Sequence, residues 1–280
     1  MGYKTILVHF NDERRVAQLL SAGMELARRS NGHLIGLYVL PPIVIAPAVA
    51  VPYGGEVITA HRDFCRQEAE RIKAAFDKAT AGQSFVAEWR LNEELEADVG
   101  DVVMQHGRAA DLIIASQADA DWDRTVLLDV PDRLALESGR PALVVPNVGT
   151  YATIGQNVCV AWNGSRESAR ALFDALPLLQ NAKSVRLLWV NPEDDAERSG
   201  DLPGVDIAAT LARHGIKIEA STSVGTDIGV GDELLSRIAD LGSDLLVMGC
   251  YGHSRLRELV FGGATRHILR HMTVPVLMSH

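Results

Sequence analysis

Short runs of β-branched and apolar residues alternate along this chain with longer stretches in which leucine, isoleucine and alanine recur three and four positions apart. In the second half the short runs are Val158–Trp162, Val185–Val190, Lys217–Thr222, Leu245–Met248 and Val276–Met278, which predict five strands. The stretches between them, such as Ser165–Leu179 and Asp232–Leu241, each carry one apolar face and predict helices. The first half gives a matching series, with its clearest helices over Asp12–Arg29 and Val57–Ala79. Strands alternating with helices imply βαβ units and a parallel sheet. Five such strands with helices on both faces make a doubly wound sheet, which binds ligands at the carboxyl ends of its strands.

The two halves repeat one another. ADLIIAS at Ala110–Ser116 answers SDLLVMG at Ser243–Gly249, an offset of 133 residues, and RPALVVP from Arg140 answers VPVLMSH from Val274, an offset of 134. The openings TILVHFND from Thr5 and VCVAWNGS from Val158 also correspond, at an offset of roughly 152. The excess places an insertion after Leu40 in the first copy. Proline, glycine and small polar residues in PNVGTYAT, Pro146–Thr153, set a boundary near residue 150. The expected fold is therefore α/β, with two tandem doubly wound five-stranded parallel sheets, in domains 1–149 and 150–280.

Composition narrows the functions. The 280 residues are 47% hydrophobic and 22% charged, an ordinary globular balance. A net charge of −9 disfavours a sequence-independent hold on nucleic acid, which needs lysine and arginine against phosphates. Cys65, Cys159 and Cys250 form no CxxC pair, so neither a disulfide framework nor a cysteine zinc site is expected. The opening MGYKTILVHF lacks the features of an export signal, and the expected location is cytoplasmic. The apolar stretch Pro41–Gly55 is too short to span a membrane, and its four prolines predict a loop over core or a partner surface. A lipid or apolar-ligand contact is the alternative reading of that stretch.

Candidate chemistry gathers after the fourth strand of the second copy, in GCYGHSRLRELVFGGATRHILRHM from Gly249 to Met272. Gly249 and Gly252 follow a buried strand, where a missing Cβ lets a ligand approach the backbone. Gly262 and Gly263 precede Ala264, Thr265 and a helical run, whose first N–H groups and positive dipole end face whatever anion sits there. A polyphosphate site needs these features, although glycines also simply end strands and cap helices. The loop is neither a Walker A loop nor a Rossmann fingerprint.

Gly249, Gly252, Gly262 and Gly263 stand in the spacing glycine, two residues, glycine, nine residues, glycine and a small residue. That pattern resembles the signature of the universal stress protein family, and the resemblance extends over both copies, as in a tandem member. It implies ATP, with Mg2+, as the ligand, and a regulatory role in the stress response. By position, Gly249 and Gly252 would line the ribose and phosphates, beside Met248. The N–H groups of Gly263, Ala264 and Thr265, with the Thr265 hydroxyl, would hold the phosphates. His253 and Arg255 sit inside the glycine loop and could reach phosphates, a solvated loop position being the alternative reading. Ala161, Trp162, Asn163 and Val190 would form the adenine pocket. Asn163 stands where members of the family often have aspartate, and Gly263 where they often have serine; Asn163 still both donates and accepts.

In the first copy an offset of 133 places Ser116, Asp119, Asp129 and Asp132 against Gly249, Gly252, Gly262 and Thr265. Three carboxylates there would repel phosphates, so one ATP per chain is expected, in the second copy. The resemblance further implies a strand order of 3-2-1-4-5 and pairing through the last strand. The two copies are thus expected to form an internal pseudo-dimer, with further homo-oligomerisation open.

Other groupings are weaker. His267 and His271 stand four apart on one helix face, with His253 and His280 nearby, but no HExxH motif completes a metal site and none is expected. Ser165 and Ser168 read as helix caps, since no GxSxG elbow surrounds either. An ATP-using enzyme, by slow hydrolysis or adenylation, is the rival function. The sequence offers it no SGGxDS, HIGH or KMSKS motif and no positioned general base.

Overall fold

The computed structural model describes residues 2–43, 47–94, 97–119, 129–151, 153–192, 204–225, 229–250 and 263–280. Strands β1 (Thr5–Phe10), β2 (His33–Val39), β3 (Val86–Asn92), β4 (Leu112–Ser116) and β5 (Ala142–Val145) belong to the first half. Strands β6 (Asn157–Ala161), β7 (Ser184–Val190), β8 (Ile218–Ser223), β9 (Leu245–Gly249) and β10 (Val276–Ser279) belong to the second. Each half is ordered 3-2-1-4-5 by its own count, and the pairs within a half are parallel. The two sheets do not remain separate. β5 and β10 pair antiparallel, Val276 with Val144 and Met278 with Ala142, and the described strands make one ten-stranded sheet. Each half thereby covers the edge that the other would otherwise leave with unpaired N–H and C=O groups.

Strand alternation divides the core into two faces. One holds Ile6, Val8, Leu34, Val158, Val160, Ala171, Leu172 and Leu277; the other holds Leu7, Val103, Leu134, Cys159, Leu246, Ile238 and Ile268. The helices that cover these faces are α1 (Val16–Ser30), α2 (Pro47–Thr80), α3 (Val99–Gly107), α4 (Val130–Glu137), α5 (Arg166–Asp174), α6 (Leu176–Leu179), α7 (Val205–Arg213), α8 (Val230–Asp240) and α9 (Ala264–His271). The helix expected over Asp12–Arg29 begins with a 3-10 turn at Glu13–Arg15, capped by the Asp12 carboxylate accepting from Arg14 N–H at 2.7 Å. Ser165–Leu179 splits into α5 and α6 because Pro177, at the start of α6, has no N–H with which to continue the first helix.

The loop expected over Pro41–Gly55 is corrected from Pro47 onward, where the chain is already in α2. Pro47 occupies the first helical position, where a missing N–H costs nothing, and Pro52 forfeits one bond in a helix of 34 residues. Gly36 lets α2 and β3 close on β2, since an added Cβ would meet the Phe76 and Trp89 rings at 2.8 Å. Among the described residues no helix is long and apolar enough to cross a membrane.

Candidate functional site

In the second half the strand order reverses between β6 and β9, and the ends of β6, β7 and β9 converge there with the start of α9. Ala161, Val190 and Met248 lie on one sheet face, in the cluster that includes Leu234, Ile238, Ile268 and Leu269 of α8 and α9. Trp162 does not join them. It packs on the opposite face against the cluster containing Ala171 and Leu172, so its backbone alone borders the site.

The turn after β6 is built by its own polar groups. The Asn163 side-chain oxygen accepts from Ser165 N–H at 3.1 Å, and Gly164 takes a left-handed φ of 69°. Ser165 caps α5 by accepting from Ser168 N–H at 3.2 Å, and the Ser168 hydroxyl donates to the Ser165 carbonyl. Ser165 is a cap, as expected, whereas Ser168 lies within α5 and its hydroxyl bonds back to the Ser165 carbonyl rather than to a free N–H. One lone pair of the Asn163 oxygen is engaged by Ser165 N–H, which leaves the second lone pair and the NH2 group for other partners.

Gly249 ends β9 against this turn. An added Cβ would collide with the backbone of Glu167 and Ser168, so the position is glycine because two chain segments touch there. After β7, Asn191 turns the chain with a φ of 50° and accepts from Gly225 N–H at 2.8 Å. At the other side of the site Gly263 is the N-cap of α9, with φ −51° and ψ 157° and no side chain to cap the helix. The orphan N–H groups of a first turn are oriented along the helix axis and attract anions. Arg266 in that turn is exposed, whereas Thr265 is buried. The expectations for Gly252, His253, Arg255 and Gly262 lie outside the described residues.

His267 Nε2 lies 2.9 Å from Asp232 Oδ1 without the alignment of a hydrogen bond, and its ring centroid is 4.6 Å from that of His271 with the planes tilted by 43°. Among the described residues no three His, Cys, Asp or Glu side chains converge on a metal position.

Strand register places the first half on the second. Ile6 pairs with Leu112 as Val158 pairs with Leu245, which makes Asn11 the counterpart of Asn163, His9 of Ala161 and Ser116 of Gly249. From α4 onward the offset is 134, since α4 begins at Val130 and α9 at Ala264, and Ala142 and Val276 hold equivalent register positions. The offset of 133 applied to the loop is corrected at its far end, where Asp129 stands opposite Gly263, Pro131 opposite Thr265, and Asp132 opposite Arg266. Pro131 has no N–H to offer a phosphate, a difference that the shift from 133 to 134 between the repeated segments could have revealed.

The first half also fills its own site. Asn11 Nδ2 donates to Ser116 Oγ at 2.8 Å. Arg15 binds Asp119 at 2.5 Å and donates to the Asn147 carbonyl at 2.7 Å, so the Asp119 carboxylate expected to repel phosphate is neutralised in place. His9 is fully buried, and neither ring nitrogen has a hydrogen-bond partner. Burial pushes its pKa down from 6.5 to about 4.

A doubly wound sheet with a glycine-capped helix near its switch point is a fold shared by many unrelated activities. Comparison with known proteins is more specific. The universal stress protein family model matches residues 155–280, which form a universal stress protein domain. A universal stress protein from Synechocystis sp. is 41% identical over 149 residues, 52% of this chain and 49% of the relative, so the match spans about half the length of that curated relative. The structure of a universal stress protein from Archaeoglobus fulgidus covers 99% of this chain and 96% of its own at a TM-score of 0.73 and 13% identity. A functionally unknown protein from Pseudomonas aeruginosa covers 99% and 92% at 0.59 and 12%. These two likenesses show that the fold extends over both halves.

Proposed function

We propose that this chain is a tandem universal stress protein that binds one ATP, with Mg2+, in its second half, and acts as a cytoplasmic regulatory nucleotide-binding protein in the stress response. The observation that carries the reading is the asymmetry of two sites that strand register and helix starts place in correspondence. The second half presents Gly249, Gly263, Thr265 and Arg266 where the first presents Ser116, Asp129, Pro131 and Asp132. A first turn whose N-cap is a glycine and which carries an arginine suits phosphate, whereas a carboxylate at the cap and a proline in the turn oppose it. Ala161, Val190 and Met248 offer an apolar wall on the same sheet face. Binding rather than turnover fits this chemistry. Backbone N–H groups hold a ground-state phosphate, but rapid transfer requires a positioned nucleophile and charges matched to the transition state.

Gly263→Asp tests this reading directly, because it installs the residue of the first half. Its negative φ is open to any residue, and aspartate is a good N-cap, so the fold is expected to be as stable or slightly more stable. Calorimetric titration should give one ATP site per wild-type chain and none in the variant. Two sites, or undiminished binding by Gly263→Asp, refutes the assignment.

A further inference from the structure

The two halves exchange one side chain each across the β5–β10 junction, at equivalent positions. Gln117, the first residue after β4, sends its amide into the second half, where Nε2 donates to the carbonyls of Leu269 at 2.9 Å and Arg270 at 3.0 Å. These are C-terminal carbonyls of α9, which have no partner within the helix. Cys250 holds the corresponding place after β9, and its thiol reaches the carbonyl of Ala135 in α4 at 3.4 Å. Ala135 is the counterpart of Leu269, so the contacts are related by the pseudo-twofold, but not in strength. An amide bridging two carbonyls is a firm clamp, and a thiol is a weak donor.

Gln117 is itself held rigidly. Its backbone N–H donates to Val145 O at 2.8 Å, and its side-chain oxygen accepts from Asn147 N–H at 3.1 Å. Asn147 O in turn receives Arg15, the partner of Asp119, and Ser116 beside Gln117 is tied to Asn11. The network that fills the first-half site therefore ends in a clamp on α9. That helix has eight residues, about 12 Å along its axis, and its opposite end is the uncapped turn at Gly263. A rod this short transmits a shift at one end to the other, because its interior bonds and packed side chains allow little bending.

From this geometry we infer that Gln117 is a positioning residue. It fixes α9 so that the first-turn N–H groups meet a phosphate, and it couples occupancy of the second-half site to the closed network of the first half. The inference rests on the nucleotide reading above. It gives the first half a role in binding without a ligand of its own.

Gln117→Glu separates the two connections of this side chain. It keeps an acceptor for Asn147 N–H but turns the donor facing α9 into a carboxylate against two carbonyls. Gln117→Met keeps the bulk and removes both connections. ATP affinity is expected to fall about five-fold or more in each variant. Hydrogen exchange supplies a readout that simple loosening would not mimic. In the wild type, ATP should slow exchange in α9 and also at Gln117 and Asn147; in Gln117→Glu at saturating ATP, α9 should still respond and the first half should not. Unchanged affinity with unchanged first-half protection in either folded variant overturns the inference. A wild-type protein that binds no ATP instead overturns the nucleotide reading, so the two failures are distinguishable.

Discussion

Replacing His9 with leucine should remove a pH dependence from the stability of the whole protein. In the folded chain the imidazole is buried at the end of β1 with both nitrogens unpaired, and its pKa is pushed down from 6.5 to about 4 by burial. In the unfolded chain it titrates at the ordinary value. Between those values the unfolded state binds more protons, so stability rises with pH; the contribution is complete above 6.5 and is lost as pH falls toward 4. The shift corresponds to about 3 kcal/mol between pH 8 and pH 4. Urea unfolding of wild type and His9→Leu across that range isolates the effect, because every other titrating group is common to both proteins and cancels in the difference. The wild type should lose about 3 kcal/mol more than the variant on acidification. At pH 8 the variant should be no less stable, since two unsatisfied buried nitrogens are replaced by an apolar side chain of similar size. Parallel pH profiles for the two proteins would refute the reasoning and imply that His9 is solvated or paired in solution.

Gly249→Ala should destabilise the fold by about 1–3 kcal/mol, read as a lowered unfolding midpoint without any nucleotide, because its Cβ meets the backbone of Glu167 and Ser168. An unchanged midpoint would mean that the start of α5 yields freely. Leu143 and Leu277 are directly paired across β5 and β10, so Leu143→Cys with Leu277→Cys should crosslink within one chain on mild oxidation. The native thiols are buried, and the yield should not depend on dilution; crosslinked dimers that vanish on dilution would contradict the junction.

Much of this architecture is legible in the chain because it is written locally. The five runs from Val158 to Met278 each fall within a residue or so of an observed strand end, since period and β-branching act over a few neighbours. The repeat between the halves survives in the same runs, and the cap at Ser165 follows from its place at the start of a helical run. The loop expected from Pro47 to Gly55 was misread for a similar reason: proline argues against a helix interior, but not at its first turn.

Sequence by itself determined the strand and helix pattern, the repeat, and the glycines that mark the second-half site. Tertiary structure alone decided what those residues face. Asp119 met Arg15 across 104 positions, and Gln117 reached α9 across 152. Such contacts leave no periodic trace, because a side chain's partner is set by strand register and by the offset between repeats, and a change of one residue, from 133 to 134, puts Pro131 in place of Asp132 opposite Thr265 at the start of a helix.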